Sequence, residues 1–289
     1  MTHPSSHTAH DGAHHCSSHE PDADGQAEIL DLDAEVLGEH IASITAWLPL
    51  EKEPRHIVDL GCGTGAGTFA LLTRFPDAEV TAVDTSAGHL QRLRAKAEAL
   101  GVAERVRTVQ ADLDAAWPDL GRPELVWASA SMHHMADPDR TLGKVHDLLA
   151  PGGLFAVVEL ADFPRFLPAD APQERPGLEE RCHAALAHDA AEHVPHRGAD
   201  WGPKLAAAEF TVEGERTITV NVDGSRSEAV GRYAVSSLRR LRGSAAHALT
   251  PEDLGALDQL LDADSPFSLL RRTDVAVRTE RTVWAARRV

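Results

Sequence analysis

Residues His56 to Gly65 read HIVDLGCGTG, and this decapeptide constrains the fold more than any other stretch of the chain. An apolar run ends in an acid and then breaks into alternating glycines. A buried strand that turns sharply into a helix needs this pattern: glycine permits the tight turn, and its missing Cβ lets a ligand approach bare backbone. The following helix offers unpaired N–H groups at its start. The decapeptide therefore reads as a seat for a small molecule bearing a ribose or a carboxylate.

The chain around it supports a parallel sheet. Strands are expected at His56–Leu60, Glu79–Asp84, Val106–Ala111, Leu125–Ala130 and Leu154–Leu160. Helices are expected between them at Gly65–Arg74, after the N-cap candidate Ser86 with a stripe of Leu90, Leu93, Ala97 and Leu100, and from Pro138 to about Leu149. Strands separated by helices of this length form βαβ units with right-handed crossovers. Ahead of them, Leu30, Ala34, Leu37, Ile41, Ile44 and Leu48 recur at three- and four-residue steps, one apolar helical stripe ended by Pro49 and Pro54. After Leu160 the rhythm changes. A helical stretch is expected around Leu178–Ala191, a short helix at Gly202–Ala208, helix again across residues 224–272, and alternating strands at ERTITVNVD (215–223) and VAVRTERTVWAAR (275–287). The two alternating strands predict an antiparallel addition to the sheet.

The domain reading follows: a tail at 1–26, a helical cover at 27–54, the core at 55–161, a lid insertion at 162–200, and a completion of the sheet at 201–289 carrying a helical insertion at 224–272. The tail has hardly any bulky apolar residue and is expected to be disordered, because burial cannot offset its ordering entropy. His3, His7, His10, His14, His15, His19 and Cys16 lie in it. Their irregular spacing defines no fixed metal geometry, so no metal site is assigned there. His183, His188, His193 and His196 invite a metal reading too, but a five-residue step puts helical side chains on different faces. Trp201 is either a pocket wall or core.

A formal net charge of −17 argues against nucleic acid and against an anionic membrane surface, since both require Lys and Arg. Cys16, Cys62 and Cys182 are far apart and odd in number, which is no disulfide framework and fits the cytoplasm. Cys62 reads as a small packing residue of the glycine loop. No segment has the apolar length of a membrane span.

Ligands on such a sheet bind beyond the carboxyl ends of its strands. The first strand ends in Asp59, then Gly61, Gly63 and Gly65; the second ends in Asp84, where an acid can accept ribose hydroxyls; the third in Asp112-Leu113; the fourth in Ser129 to His134; the fifth in Glu159 to Asp162. Gly61-x-Gly63-x-x-Ala66 also satisfies a loose dinucleotide fingerprint, so a nicotinamide-dependent oxidoreductase is one alternative. A non-catalytic cofactor- or metal-binding protein is another. Five motifs together, DLGCGTG (59–65), AVD (82–84), QADL (110–113), SASMHHM (129–135) and LLAPGG (148–153), resemble the class I S-adenosylmethionine-dependent methyltransferases in order and spacing.

The resemblance implies a Rossmann-like α/β fold, doubly wound, with a seven-stranded sheet, an antiparallel last strand and helical lid insertions. It also implies S-adenosylmethionine as cofactor. Gly61, Gly63 and Gly65 with Asp59 would hold the methionyl end, Asp84 the ribose, Asp112 and Leu113 the adenine, and Ser129 the methionyl group from the fourth strand, with Thr64 and Thr85 as softer contacts. His133 and His134 are the candidate acid–base residues, because histidine titrates near working pH. The expected partner is a small-molecule methyl acceptor, methylated on O, N or C. A homodimer is compatible with the sequence.

Overall fold

Apolar runs too short for helices and flanked by turn residues become strands. The structure is a computed structural model that describes residues 23–289; of residues 23, 187–193 (which include His188 and His193) and 226 it describes the backbone only. Five strands, β1 (His56–Leu60), β2 (Glu79–Asp84), β3 (Val106–Gln110), β4 (Leu125–Ser129) and β5 (Leu154–Leu160), pair in parallel. Two long strands, β6 (Phe210–Asp223) and β7 (Ala276–Arg288), complete a seven-stranded sheet in the order β3-β2-β1-β4-β5-β7-β6. β7 runs antiparallel to both β5 and β6. The order reverses between β1 and β4, which opens a crevice at the carboxyl ends of those strands.

The helices are α1 (Ala23–Trp47), α2 (Ala66–Arg74), α3 (Ala87–Ala99), α4 (Pro138–Leu148), α5 (Leu178–His193), α6 (Gly202–Ala207), α7 (Glu228–Ala245) and α8 (Pro251–Leu261). Local chemistry sets their starts. Ser86 Oγ accepts from His89 N at 3.2 Å, Asp137 caps α4 ahead of Pro138, and Thr250 caps α8 ahead of Pro251. One face of the sheet packs Ile57, Trp127 and Ala156 against α1, α2, α5, α7 and α8; the other packs Val58, Val126 and Phe155 against α4 and α6. Trp201 belongs to this second layer and is core, not pocket wall.

Several boundaries differ from the sequence expectation. Residues 1–22, with the tail histidines and Cys16, lie outside the described residues, but residues 23–26 belong to α1 and not to a disordered tail. On α1 Leu37, Ile41 and Ile44, with Leu48 just beyond its end, are buried as the stripe requires, while Leu30 and Ala34 are only half-buried. β4 stops at Ser129 because Ala130 takes a left-handed φ of 52°. Leu100 is 63% exposed, since it is the C-cap of α3 and has left the helical stripe. β6 begins at Phe210, five residues early. A β-bulge between Val212 and Gly214 breaks the alternation there, and Gly214 leaves room for the Trp47 ring.

Candidate active site

β1 delivers Asp59 to the rim of the sheet and the chain then turns through Gly61, Gly63 and Gly65, whose φ values are +66°, +53° and +100°. A Cβ at Gly61 would collide with Ser131, so the loops after β1 and β4 touch because this position carries none. Ser131 Oγ then donates to Leu60 O at 2.8 Å and ties the two loops together. Gly65 is the N-cap of α2 and its own Cβ would meet the Phe69 ring.

A cleft of about 480 Å³ opens beyond these strand ends, a volume suited to a cofactor-sized molecule. Asp59, Gly61, Gly63 and Thr64 line it from the first loop, Asp84 and Thr85 from the second, Asp112 and Leu113 from the third, and Ser129 and His134 from the fourth. Gly65 and His133 do not line it. The far wall comes from α1, through Gln26, Leu30, Asp33 and Ile41, and from Arg281 on β7. Segments 162–200 and 224–272 contribute none of the lining. α7 acts on the cleft one step removed, through the Tyr233 hydroxyl, which donates to Asp33 Oδ1 at 2.8 Å.

Asp84 is held by its surroundings. Its Oδ2 accepts from Gly63 N at 2.8 Å, and its Oδ1 accepts from Ser86 N at 2.8 Å and lies 3.3 Å from His89 Nδ1. Burial alone raises a carboxyl, but the bonds from His89, Ser86 and Gly63 outweigh it and hold Asp84 below the ordinary range. Asp59 is the opposite case. It is buried, with the Thr68 hydroxyl donating to Oδ2 at 2.6 Å. Burial lifts it to about 7, Thr68 offsets part of the rise, and the Asp84 charge adds to it. Asp112 is exposed and accepts from Asp114 N at 3.0 Å, and Leu113 is buried beside it. Burial pushes the Cys62 thiol well up, so it stays protonated and packs, as a non-nucleophilic residue does.

The two histidines separate. His133 is buried and its Nδ1 contacts Glu159 Oε2. The same carboxylate accepts from Met132 N at 2.8 Å and His133 N at 3.3 Å, so Glu159, at the end of β5, holds the turn Met132–His134. His134 lies over the cleft with its ring centroid 4.2 Å from that of His133. It keeps an exposed edge, yet loss of hydration, then repulsion from His133 and Arg197, lowers it to about 4, so it is neutral at pH 7. Among the described residues no cluster of three or more His, Cys, Asp or Glu is placed to hold a metal, and His183 instead lies 3.9 Å from Glu179.

Residues 57–153 match the family of methyltransferase domains. This segment is similar to methyltransferase domains. The chain is 40% identical, over 116 residues, to the trans-aconitate 2-methyltransferase of Methylobacterium radiotolerans, covering 40% of this chain and 42% of that protein. It is 39% identical over 119 residues to the demethylmenaquinone methyltransferase of Thermus thermophilus, covering 41% and 53%. The chain thus aligns with only about half, or less, of these curated relatives. Among solved structures, a candidate methyltransferase from Bacillus halodurans has a TM-score of 0.55 at 18% identity, covering 87% of this chain and 99% of that one. Geranyl diphosphate methyltransferase in complex with SAM scores 0.51 at 15% identity, covering 94% and 93%. The [4+2]-cyclase SpnF scores 0.51 at 17%, covering 91% and 94%. These are likenesses of fold, and the cyclase's name is a reminder that the architecture alone does not set the reaction.

Arg281, Asp33 and His89 were not picked out by sequence reasoning. For Arg281 a signal was present. It is in phase with Val277, Val283 and Ala285 on β7, all fully buried, so an arginine sits on the core face of an alternating strand.

Proposed function

We propose that the chain transfers a methyl group from S-adenosylmethionine to an O, N or C atom of a small organic molecule. The observation that carries this reading is Asp59, a buried carboxylate on the cleft wall with Thr68 as its side-chain partner and Asp84 repelling it. Such a group favours a ligand that brings positive charge. The neighbouring residues fit the rest of the molecule. Gly61, Gly63 and Asp59 would hold the methionyl end, with Thr64 and Ser129 beside it. Asp84 would accept from the ribose, with Thr85 nearby; Asp112 and Leu113 would hold the adenine. Three donors already face Asp84, and a carboxylate offers about four lone-pair sites. It therefore takes one further hydroxyl directly, with the His89 ring as the adjacent polar group.

When bound, the cofactor supplies a methyl group activated by a sulfonium leaving group. The chain's own residues then have to align, desolvate and accept a proton. Neutral His134 is the group positioned to accept a hydrogen bond from the acceptor molecule. Its low proton affinity suits orientation more than proton storage. His133, engaged by Glu159, supports the turn that carries it. The relatives named above are methyltransferases named for small molecules, which supports a small-molecule acceptor here. The net charge of −17 supports a cleft that takes neither nucleic acid nor a membrane surface, and among the described residues no helix is long and apolar enough to cross a membrane. The match of residues 57–153 does not favour the nicotinamide alternative.

Calorimetric titration with S-adenosylhomocysteine and, separately, NADH tests the reading. Binding of the former alone is expected, and binding of NADH alone overturns the proposal. Asp84→Ala should weaken S-adenosylhomocysteine by about 1–3 kcal/mol.

A further inference from the structure

Among the described residues that line the cleft Arg281 is the only Lys or Arg, alongside five aspartates, Asp33, Asp59, Asp84, Asp112 and Asp114. Its side chain is only 7% exposed. Both bonds to Asp33 run through one nitrogen, from Nη2 to Oδ1 at 2.7 Å and to Oδ2 at 2.8 Å. The Nε–H is buried and has no partner among the described residues. Guanidinium groups normally use their fork to meet a planar oxyanion with two parallel bonds. Here Asp33 occupies one nitrogen and fixes the plane, Tyr233 fixes Asp33 through its 2.8 Å bond, and the Nε edge is left over. A charged donor left unpaired inside a protein is costly unless a ligand completes it. Burial works against the charge of Arg281, but the adjacent Asp33 outweighs it and keeps the group protonated.

The position selects the acceptor over the nucleoside. Arg281 pairs with Leu160 at the end of β5, so its strand lies two places beyond β4 in the sheet, about 10 Å away at ordinary strand spacing. Asp59, Asp84 and Asp112 follow β1, β2 and β3, on the other side of β4. His134 lies on the loop after β4, between the two groups. Building on the proposed methyl transfer, we infer that the methyl acceptor carries a carboxylate, and that Arg281, oriented by Asp33 and Tyr233, receives it. The same guanidinium could meet only one other carboxylate in the reaction, that of the cofactor's methionyl end, and the test separates the two.

Wild-type protein saturated with S-adenosylhomocysteine is titrated with benzoate, succinate and tricarballylate and with the corresponding amides. At least one carboxylate is expected to bind tenfold or more tighter than its amide. Arg281→Lys should reduce that preference several-fold and Arg281→Met should abolish it, with the S-adenosylhomocysteine dissociation constant within twofold of wild type. Tyr233→Phe, which keeps the charge and removes only the hydroxyl, should reduce the preference as well. Absence of any carboxylate preference in the wild type overturns the inference whatever the variants do. Loss of S-adenosylhomocysteine affinity in Arg281→Lys, with carboxylate preference retained, overturns it in favour of the cofactor's own carboxylate. Failure of the wild type to bind S-adenosylhomocysteine at all would refute the methyl-transfer reading first.

Discussion

Asp59 should make the proposed cofactor site sensitive to pH in a direction that can be worked out. Its pKa moves from 3.8 to about 7 on folding, roughly 3 units, which is about 4 kcal/mol of uncompensated burial. The folded chain holds the proton more tightly than the unfolded one. Ligand-free stability should therefore fall as the pH rises from about 4 to about 7 and level off above. A cationic ligand reverses the preference, because it favours the ionised carboxylate. If only that form binds, S-adenosylmethionine affinity should be roughly 30-fold weaker at pH 5.5 than at pH 8, with a limiting slope of one decade per pH unit. The groups facing Asp59 leave the profile readable: Asp84 is ionised throughout, and Cys62 stays protonated. Calorimetry across that range, on wild type and Asp59→Asn, checks it. The Asn variant should show a flatter profile, weaker binding at pH 8, and a higher thermal midpoint than wild type when ligand-free at pH 8. An equal slope in both proteins would refute the role given to this carboxyl.

Other positions give independent checks. A Cβ at Gly67 would crowd the Trp127 indole, with Cδ1 at 2.9 Å, so Gly67→Ala should destabilise by about 1–3 kcal/mol in urea despite alanine's better helix propensity. Asp253, held by Arg181 against burial and further by Arg175, has its pKa lowered to about 2. Its contribution is complete above pH 4 and is lost as pH falls toward 2, so Asp253→Asn should flatten the acid limb of the stability curve followed by circular dichroism. Glu159→Gln should loosen the turn under His134, lowering turnover while leaving S-adenosylhomocysteine affinity close to wild type.

What could be read from the chain follows from where the physics is local. β1, β4 and β5 announced themselves because Ile57, Val126 and Phe155 sit in short apolar runs buried on both faces, whereas β3, with no fully buried residue, was legible only from its place in the strand–helix rhythm. The glycine loop was legible because its left-handed residues have no substitute of equal freedom. The wall formed by α1 and β7 was not, because Asp33 lies 200 residues from Tyr233 and 248 from Arg281, and the core-face phase of Arg281 does not say which acid it meets. The start of α1 was missed for a related reason: Ala23 to Gln26 are polar or small, and packing beyond them decides whether they are helical. His133 and His134 were indistinguishable as neighbours in sequence, and only the position of Glu159 turns one inward and leaves the other over the cleft.

β7 enters the sheet between β5 and β6, so one partner was made more than a hundred residues earlier and the other was made two helices earlier. During synthesis, the half of the sheet from β1 to β5 can assemble from near neighbours as it leaves the ribosome. β5, however, must wait with an open edge until residues 276–288 emerge, and long-range pairing of that kind is slow. Nascent chains should therefore acquire the loops after β1, β2 and β3 before the guanidinium wall, and any chaperone that guards this chain has an apolar edge strand, β5, to shield in the interval.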